Sequence, residues 1–166
     1  VDEGVSQHLR NQMGDGIQTL YAYSQVLMSI SASGGKYATT ATPKKFWSIW
    51  REEEFSEAEM ATIRNTPLSR AQMEPLFAHR STGERRGYDA LNAAQVALTE
   101  QDRLIIALLR PDRLLDMINR FIFFDQKSGK LIARYQQVEG TKSIVAQVSQ
   151  QKPDGSREGG VIWHTT

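Results

Sequence analysis

Apolar residues recur every four positions at Val5, Leu9 and Met13, which predicts a short helix over 2–13 stopped by Gly14 and Gly16. The pattern then changes. Residues 17–31, IQTLYAYSQVLMSIS, are dense in aromatic and branched side chains and predict one strand, or two with a bend, closed by Ser33-Gly34-Gly35. KYATTAT at 36–42 alternates and predicts another strand, ended at Pro43. Ser56 and Glu59 stand at capping-box spacing, so a helix starts there. HRSTGERRGYDALNAAQ at 79–95 has no clean period and reads as a loop or linker. Thr99 and Asp102 mark the next helix start, leading into RLIIALLR at 103–110. Pro111 ends that helix and opens another, whose apolar face is Leu114, Leu115, Ile118, Phe121 and Ile122.

DQKSGK at 125–130 is a turn, and Tyr135, Val138, Thr141, Val145 and Val148 mark a third helix. Gly140 weakens that helix by about 1 kcal/mol. After the polar loop at 150–160, Val161-Ile162-Trp163 is expected to be a buried strand running into a loop. A helix, a loop and a fully apolar strand in that order suggest entry into a parallel α/β sheet. The predicted class is therefore α/β: strands and a short helix first, a polar middle, then helices and a strand.

Composition narrows the chemistry. A formal net charge of +1 leaves no global field, so any polyanion site is local. The absence of cysteine removes disulfides, thiolate metal ligands and cysteine nucleophiles, and fits a cytoplasmic location. No apolar run reaches the roughly 20 residues needed to span a bilayer, so no membrane partner is expected. His8, His79 and His164 lack partners at ligand spacing, and no metal site is predicted from them. Glu52-Glu53-Glu54 reads as a solvated face. Lys44 and Lys45 beside Trp47 and Trp50 match the basic and aromatic pairing of nucleic-acid surfaces, and equally match an ordinary amphipathic segment. Arg80, Arg85 and Arg86 form a second basic patch, in which phosphate contact and solubility compete. Phe121, Phe123 and Phe124 read as core in preference to a base-stacking platform.

ARYQQVEGTKSIV at 133–145 carries a different signal. A glutamine at a helix start can give one hydrogen bond to an adenine edge and accept another, and an arginine just before it can stack on or anchor that base. Gln136 and Gln137 are equal candidates by position alone.

Over most of its length the chain resembles the restriction subunit of type I restriction–modification enzymes. GGVIWHTT at 159–166 is similar to the strand that precedes the phosphate-binding turn of that family, and RYQQ at 134–137 looks like its Arg-x-x-Gln adenine element. VSQHLRNQMGDGIQTLYAYSQVLMSIS and KYATTATPKKFWSIWREEE resemble the end of the nuclease domain, and LLRPDRLLDMINRFIFFD resembles the helical link to the motor. The resemblance implies an internal piece of such a subunit. Residues 1–54 would be the C-terminal part of the nuclease-like domain and 55–98 a partly helical linker. Residues 99–166 would be the helical link and the start of a RecA-like ATPase domain.

It further implies ATP-driven translocation of double-stranded DNA coupled to magnesium-dependent cleavage. ATP and Mg2+ would be the cofactors, and the modification and specificity subunits the partners. Arg134, Gln137, Thr165 and Thr166 would face ATP, and Lys44 and Lys45 DNA. Gln7 would stand at a nuclease-motif position, although Asn11 occupies the place of that motif's tyrosine and no Asp…Glu-x-Lys set precedes it. The phosphate-loop lysine also falls outside the chain, so neither cleavage nor ATP hydrolysis is expected of these residues by themselves. A non-catalytic DNA- or protein-binding adaptor with its contact surface at 44–51, and another superfamily 2 DNA motor, are the alternative readings.

Overall fold

The computed structural model describes residues 1–166 except Glu53, Glu158 and 164–166. It is a mixed α/β fold of several helices and two small antiparallel sheets. The expected first helix is α1 (Asp2–Asn11). The strand predicted to begin at 17 is instead a short helix, α2 (Gln18–Tyr23), followed by β1 (Leu27–Ser31). The difference comes from the tight turn before it. Ile17 N–H donates to Asn11 O at 2.8 Å, and a Cβ on Gly16 would lie 2.5 Å from that same oxygen. This turn sends the chain back along α1 and buries Tyr21, whose hydroxyl meets His8 Nδ1 at 2.8 Å. With His8 Nε2 directed at Met28 O, the network assigns the imidazole proton to Nε2 and makes Tyr21 the donor to Nδ1. Val5, Tyr21, Leu27, Ala38 and Trp47 close this first core.

β1 pairs antiparallel with β2 (Gly34–Ala38), in register from Leu27 opposite Ala38 to Ser31 opposite Gly34. A one-turn 3-10 segment, Lys44–Phe46, follows. Trp47 and Trp50 on either side of Ser48 are both buried in core clusters. They are not available to stack on bases, which corrects the aromatic half of the expected nucleic-acid surface.

Both predicted capping boxes form. Ser56 and Glu59 start α3 (Glu57–Asn65), and Thr99 and Asp102 start α6 (Glu100–Leu109). Residues 79–95, expected as a loop, are mostly helical. Ser69 with Gln72 caps α4 (Arg70–Phe77), and Ser81 with Glu84 caps α5 (Thr82–Ala93). Neither helix contains a buried residue, and the two glycines of α5, Gly83 and Gly87, and Pro75 within α4 are the breakers that hide them in the sequence. Phe77 and Tyr88 stack at 4.2 Å between ring centroids and hold the pair together.

α6 lies across the first hairpin. A Cβ on Gly35 would fall 2.5 Å from Leu104 Cδ2, so any larger residue there would have to displace the Leu104 side chain that packs on β2. Arg110 then caps α7 (Pro111–Asp116), as the proline predicted. The helix expected to continue through 122 instead loosens into a π-helical turn, Met117–Phe121, and becomes β3 (Ile122–Asp125). β3 pairs antiparallel with β4 (Gly129–Ile132). Asp125 Oδ2 accepts from the Lys127 and Ser128 N–H groups, and Gly129 takes φ +74°, which together make the turn tight enough for a hairpin. Phe123 and Phe124 consequently lie at the surface, Phe124 being 78% exposed, and are not the core expected of them. α8 (Tyr135–Ser149) matches the third predicted helix. Val161, Ile162 and Trp163 are not a buried strand. Val161 is 92% exposed, and no strand among the described residues pairs with the segment. The described sheets are hairpins, so the predicted entry into a parallel sheet is not found in them.

The second, larger core joins Tyr37 and Trp50 to Leu104, Ala107, Leu108, Met117, Phe121, Ala133 and Val138. Beside it sits a buried ion network. Arg113 is 5% exposed. Its Nη1 is 3.5 Å from Glu52 Oε2, its Nη2 2.5 Å from Glu54 Oε2, and its guanidinium 4.9 Å from the centre of the Trp50 ring. Trp50 Nε1 donates to Glu52 Oε2 at 3.0 Å. Lys142 bridges Glu54 and Asp116 at 3.3 Å each, so one network ties the 50–54 segment to α7 and α8. Glu52 is thus a buried counter-ion, and the solvated face expected for that run is corrected at this residue. Burial works against ionisation of Glu54, but the hydrogen bonds and charges of Arg113 and Lys142 hold its carboxyl below the usual range. Glu139 goes the other way. Burial and the neighbouring Glu54 charge push it up.

Two outcomes follow. Arg113→Ala leaves Glu52 buried without its cation and is expected to cost about 3–5 kcal/mol in urea unfolding; a loss under about 1 kcal/mol, the scale of an exposed pair, contradicts the network's role. Glu139 is raised in the folded state, so its contribution is present below the ordinary value of 4.5 and is lost as pH rises through the raised value. Glu139→Gln should therefore raise the melting temperature at neutral pH and leave it unchanged below 4.5. A variant that melts lower at neutral pH contradicts the assignment.

Candidate nucleotide site

The start of α8 opens onto a cavity of about 520 Å³, within the range of small-molecule sites. Three separate stretches of chain wall it: residues 41–43 with Phe46, the β3–β4 hairpin, and residues 133–137. The larger core brings them together. Tyr37, fully buried on β2, donates its hydroxyl to Ala133 O at 2.9 Å, and Ala133 N–H donates to Phe121 O at 2.9 Å. Residue 133 is thereby pinned between the first hairpin and the second, and Arg134 emerges from it as the N-cap of α8.

Arg134 and Gln137, both expected to face a nucleotide, line this cavity, whereas Gln136 does not. The geometry distinguishes the two glutamines that sequence position left equal. Arg134 N–H donates to Gln137 Oε1 at 2.9 Å. That bond fixes the amide: its oxygen faces the backbone and keeps a second lone pair, and its nitrogen has no partner among the described residues. A planar amide held this way presents one acceptor and one donor side by side, the pairing that suits an adenine edge.

The remaining walls were not foreseen. Pro43, Phe46 and Phe123 supply apolar and aromatic surface, and Lys130 is a further lining residue, its ammonium held on the Phe124 side of the hairpin. Phe46 and Phe123 are about half exposed, so their rings are open to a ligand. Lys130 is 8% exposed, its Nζ donating to Ser24 O at 2.8 Å and lying 5.6 Å from the Phe124 ring centre. Burial pushes this ammonium below the usual lysine range. Phe123 and Lys130 come together only through the hairpin's pairing, and the helical pattern of 111–122 conceals that hairpin; Pro43 and Phe46 come from a separate stretch with no local signal for the site.

The other predicted positions lie elsewhere. Lys44 Nζ donates to Ser6 Oγ at 3.1 Å, and Lys45 Nζ sits 4.9 Å from the Phe46 ring centre, so this basic pair flanks the cavity without lining it. Gln7 is exposed on α1, its amide donating to Asn11 Oδ1 at 2.7 Å and accepting from Arg10 at 2.6 Å. Thr165 and Thr166 lie outside the described residues. In the second basic patch, Arg85 donates to Ala78 O and Arg80 O, and Arg80 pairs with Glu84.

A larger cavity of about 630 Å³ lies between the first hairpin, α3 and α6, but its Arg103 is already paired with Glu57 and Glu100. Among the described residues no group of three or more His, Asp or Glu side chains is placed to hold a metal ion. No described helix is long and apolar enough to cross a membrane. No protein-family model, no curated protein and no solved structure matches the chain.

Proposed function

We propose that the chain is part of the restriction subunit of a type I restriction–modification enzyme, and that the cavity at the start of α8 is the adenine corner of its ATP-driven motor. One observation carries this reading: Arg134 and Gln137, singled out by the resemblance, line a base-sized cavity with two accessible phenylalanine rings. Gln137 reads the base edge, while Phe46 and Phe123 offer it stacking surface, worth about 1–3 kcal/mol per base in comparable sites. The exposed segment 161–163 lends the reading no support.

In the whole enzyme ATP and Mg2+ would drive translocation of double-stranded DNA, with cleavage by the nuclease part and with modification and specificity subunits as partners. The residues described here fit the base of ATP. They do not fit Mg2+, because no described carboxylate lines the cavity. The helices at 100–116, packed between the first hairpin and the ion network, would carry motor state toward the nuclease.

The test uses the protein of 166 residues and adenosine. Adenosine should shift the Gln137 side-chain amide and the Phe46 and Phe123 ring resonances in NMR titrations, guanosine should do so far more weakly, and Gln137→Ala should reduce adenosine affinity about tenfold or more. Equal response to adenosine and guanosine, or shifts confined to other parts of the surface, would sink the reading.

A further inference from the structure

Among the described residues Ala41 is the one residue other than glycine with a positive φ, +61°. A Cβ in that left-handed region crowds the following carbonyl oxygen, so the conformation persists only where the surroundings impose it. Here the surroundings are specific. Thr42 N–H donates to Thr39 O at 3.3 Å, which makes residues 39–42 a β-turn. The positive φ at its third residue makes the turn type II, a form that favours glycine at that place. Both shoulders are fixed. Buried Thr39 donates its hydroxyl to Gln25 O at 2.8 Å, Trp47 Nε1 donates to Thr42 O at 3.1 Å, and Pro43 confines Thr42 to extended backbone. Between them, Ala41 N–H donates to Gln12 Oε1 at 2.7 Å. The Gln12 amide is itself oriented, because its Nε2 donates to His8 O at 3.0 Å.

We propose that the Thr40–Ala41 peptide is a two-position switch, latched in its strained position by Gln12 and released by a half-turn of that one peptide unit. The half-turn converts type II to type I, returns Ala41 to negative φ and leaves the Thr39–Thr42 hydrogen bond in place. The carbonyl and N–H of a trans peptide point opposite ways, so the flip replaces the donor facing Gln12 by the Thr40 carbonyl, which Gln12 Oε1 repels. One hydrogen bond and one left-handed alanine are of similar energy, so losing the first is enough to release the second. The consequence falls on the cavities. Ala41 lies in the wall of two, the one at the start of α8 and another of about 440 Å³ that it shares with Leu9, Gln12 and Tyr21. Turned away from Gln12, the Ala41 N–H is free to bind an acceptor on a ligand in the first. Gln12 is the C-cap of α1, so the position of α1 decides which group the cavity wall presents. The switch belongs to the wall and stands whether or not adenine is what the cavity holds.

The experiment compares the unliganded protein with Gln12→Ala, Ala41→Gly and the double variant by NMR. In the type II form the Thr40 Hα lies against the Ala41 amide proton, and in the type I form the Thr40 and Ala41 amide protons face each other. The expected result is the first nuclear Overhauser effect in the unsubstituted protein and the second in Gln12→Ala, with the Ala41 amide exchanging at least about tenfold faster there. The double variant should return to the first pattern, because glycine takes the positive φ without strain. The Gln137 side-chain amide, which lines the same cavity as Ala41, should shift in Gln12→Ala alone. Ala41→Gly should melt about 2–4 °C higher; an equal or lower melting temperature removes the strain and with it the switch. A type II pattern in Gln12→Ala, or a type I pattern in the unsubstituted protein, overturns the proposal. A flip that leaves Gln137 unmoved overturns its link to the cavity. With no ligand present, none of these outcomes bears on the adenine reading.

Discussion

The hydroxyl of Tyr37 reaches across 96 residues of chain to the carbonyl of Ala133, and both residues are buried. A buried phenol must find a partner, and a buried carbonyl likewise, so the bond constrains both ends of the molecule at once. Burial pushes the phenol's pKa up, which keeps Tyr37 a neutral donor. Its net worth is only about 1 kcal/mol, but leaving either group unpaired costs about 1–3. Around it, Trp50, Leu104, Leu108, Met117, Phe121 and Val138 share one core drawn from both ends of the chain. Residues 133–137 therefore stand where they do because β2 holds them there. The cavity follows from that placement.

Stiffness is distributed unevenly about this core. Where residues 50, 52 and 54 meet α7 and α8, Arg113 is buried between the Glu52 and Glu54 carboxylates and the Trp50 ring, its Nη2 paired by charge with Glu54 but without a well-formed hydrogen bond. Buried ion pairs of this kind are weak sources of net stability, but losing one partner is costly because it leaves the other charge buried. The α4–α5 pair lies at the other extreme, with no buried residue in either helix and Leu76 and Leu91 largely exposed. Its helices are held by their capping boxes, the Phe77–Tyr88 stack, and the paired hydrogen bonds between Asn92 and Leu68. Local bonds suffice to form it, whereas the site depends on long-range ones.

Helix starts were the most legible feature of the sequence, because a capping box is a local bargain between a hydroxyl and an acid three residues on. Ser56, Thr99 and Pro111 all act as their spacing indicates. Ser81 and Glu84 had the same spacing, but Gly83 and Gly87 interrupt the run that follows with the residue type least favourable to a helix after proline. The strands were harder. Whether MINRFIFFD continues a helix or turns into a hairpin is decided by Asp125 and Gly129 beyond it, and by Met117 and Phe121 entering the core from a π-turn. Of the site, Arg134 and Gln137 were legible as a pair, while Phe46, Phe123 and Lys130 join them only through pairings that no local spacing encodes. The apolar run 161–163 looked buried by composition, yet burial requires neighbours, and the described residues provide none.

A cavity assembled from residues 41–46, 123–132 and 133–137 is the point at which fold and proposed function meet. The most direct test of that assembly is a set of intermolecular nuclear Overhauser effects from the purine protons of bound adenosine. The account predicts contacts to the Phe46 and Phe123 rings and the Gln137 side-chain amide in the same complex. Contacts to one of these stretches without the others, or to a different face of the protein, would contradict it.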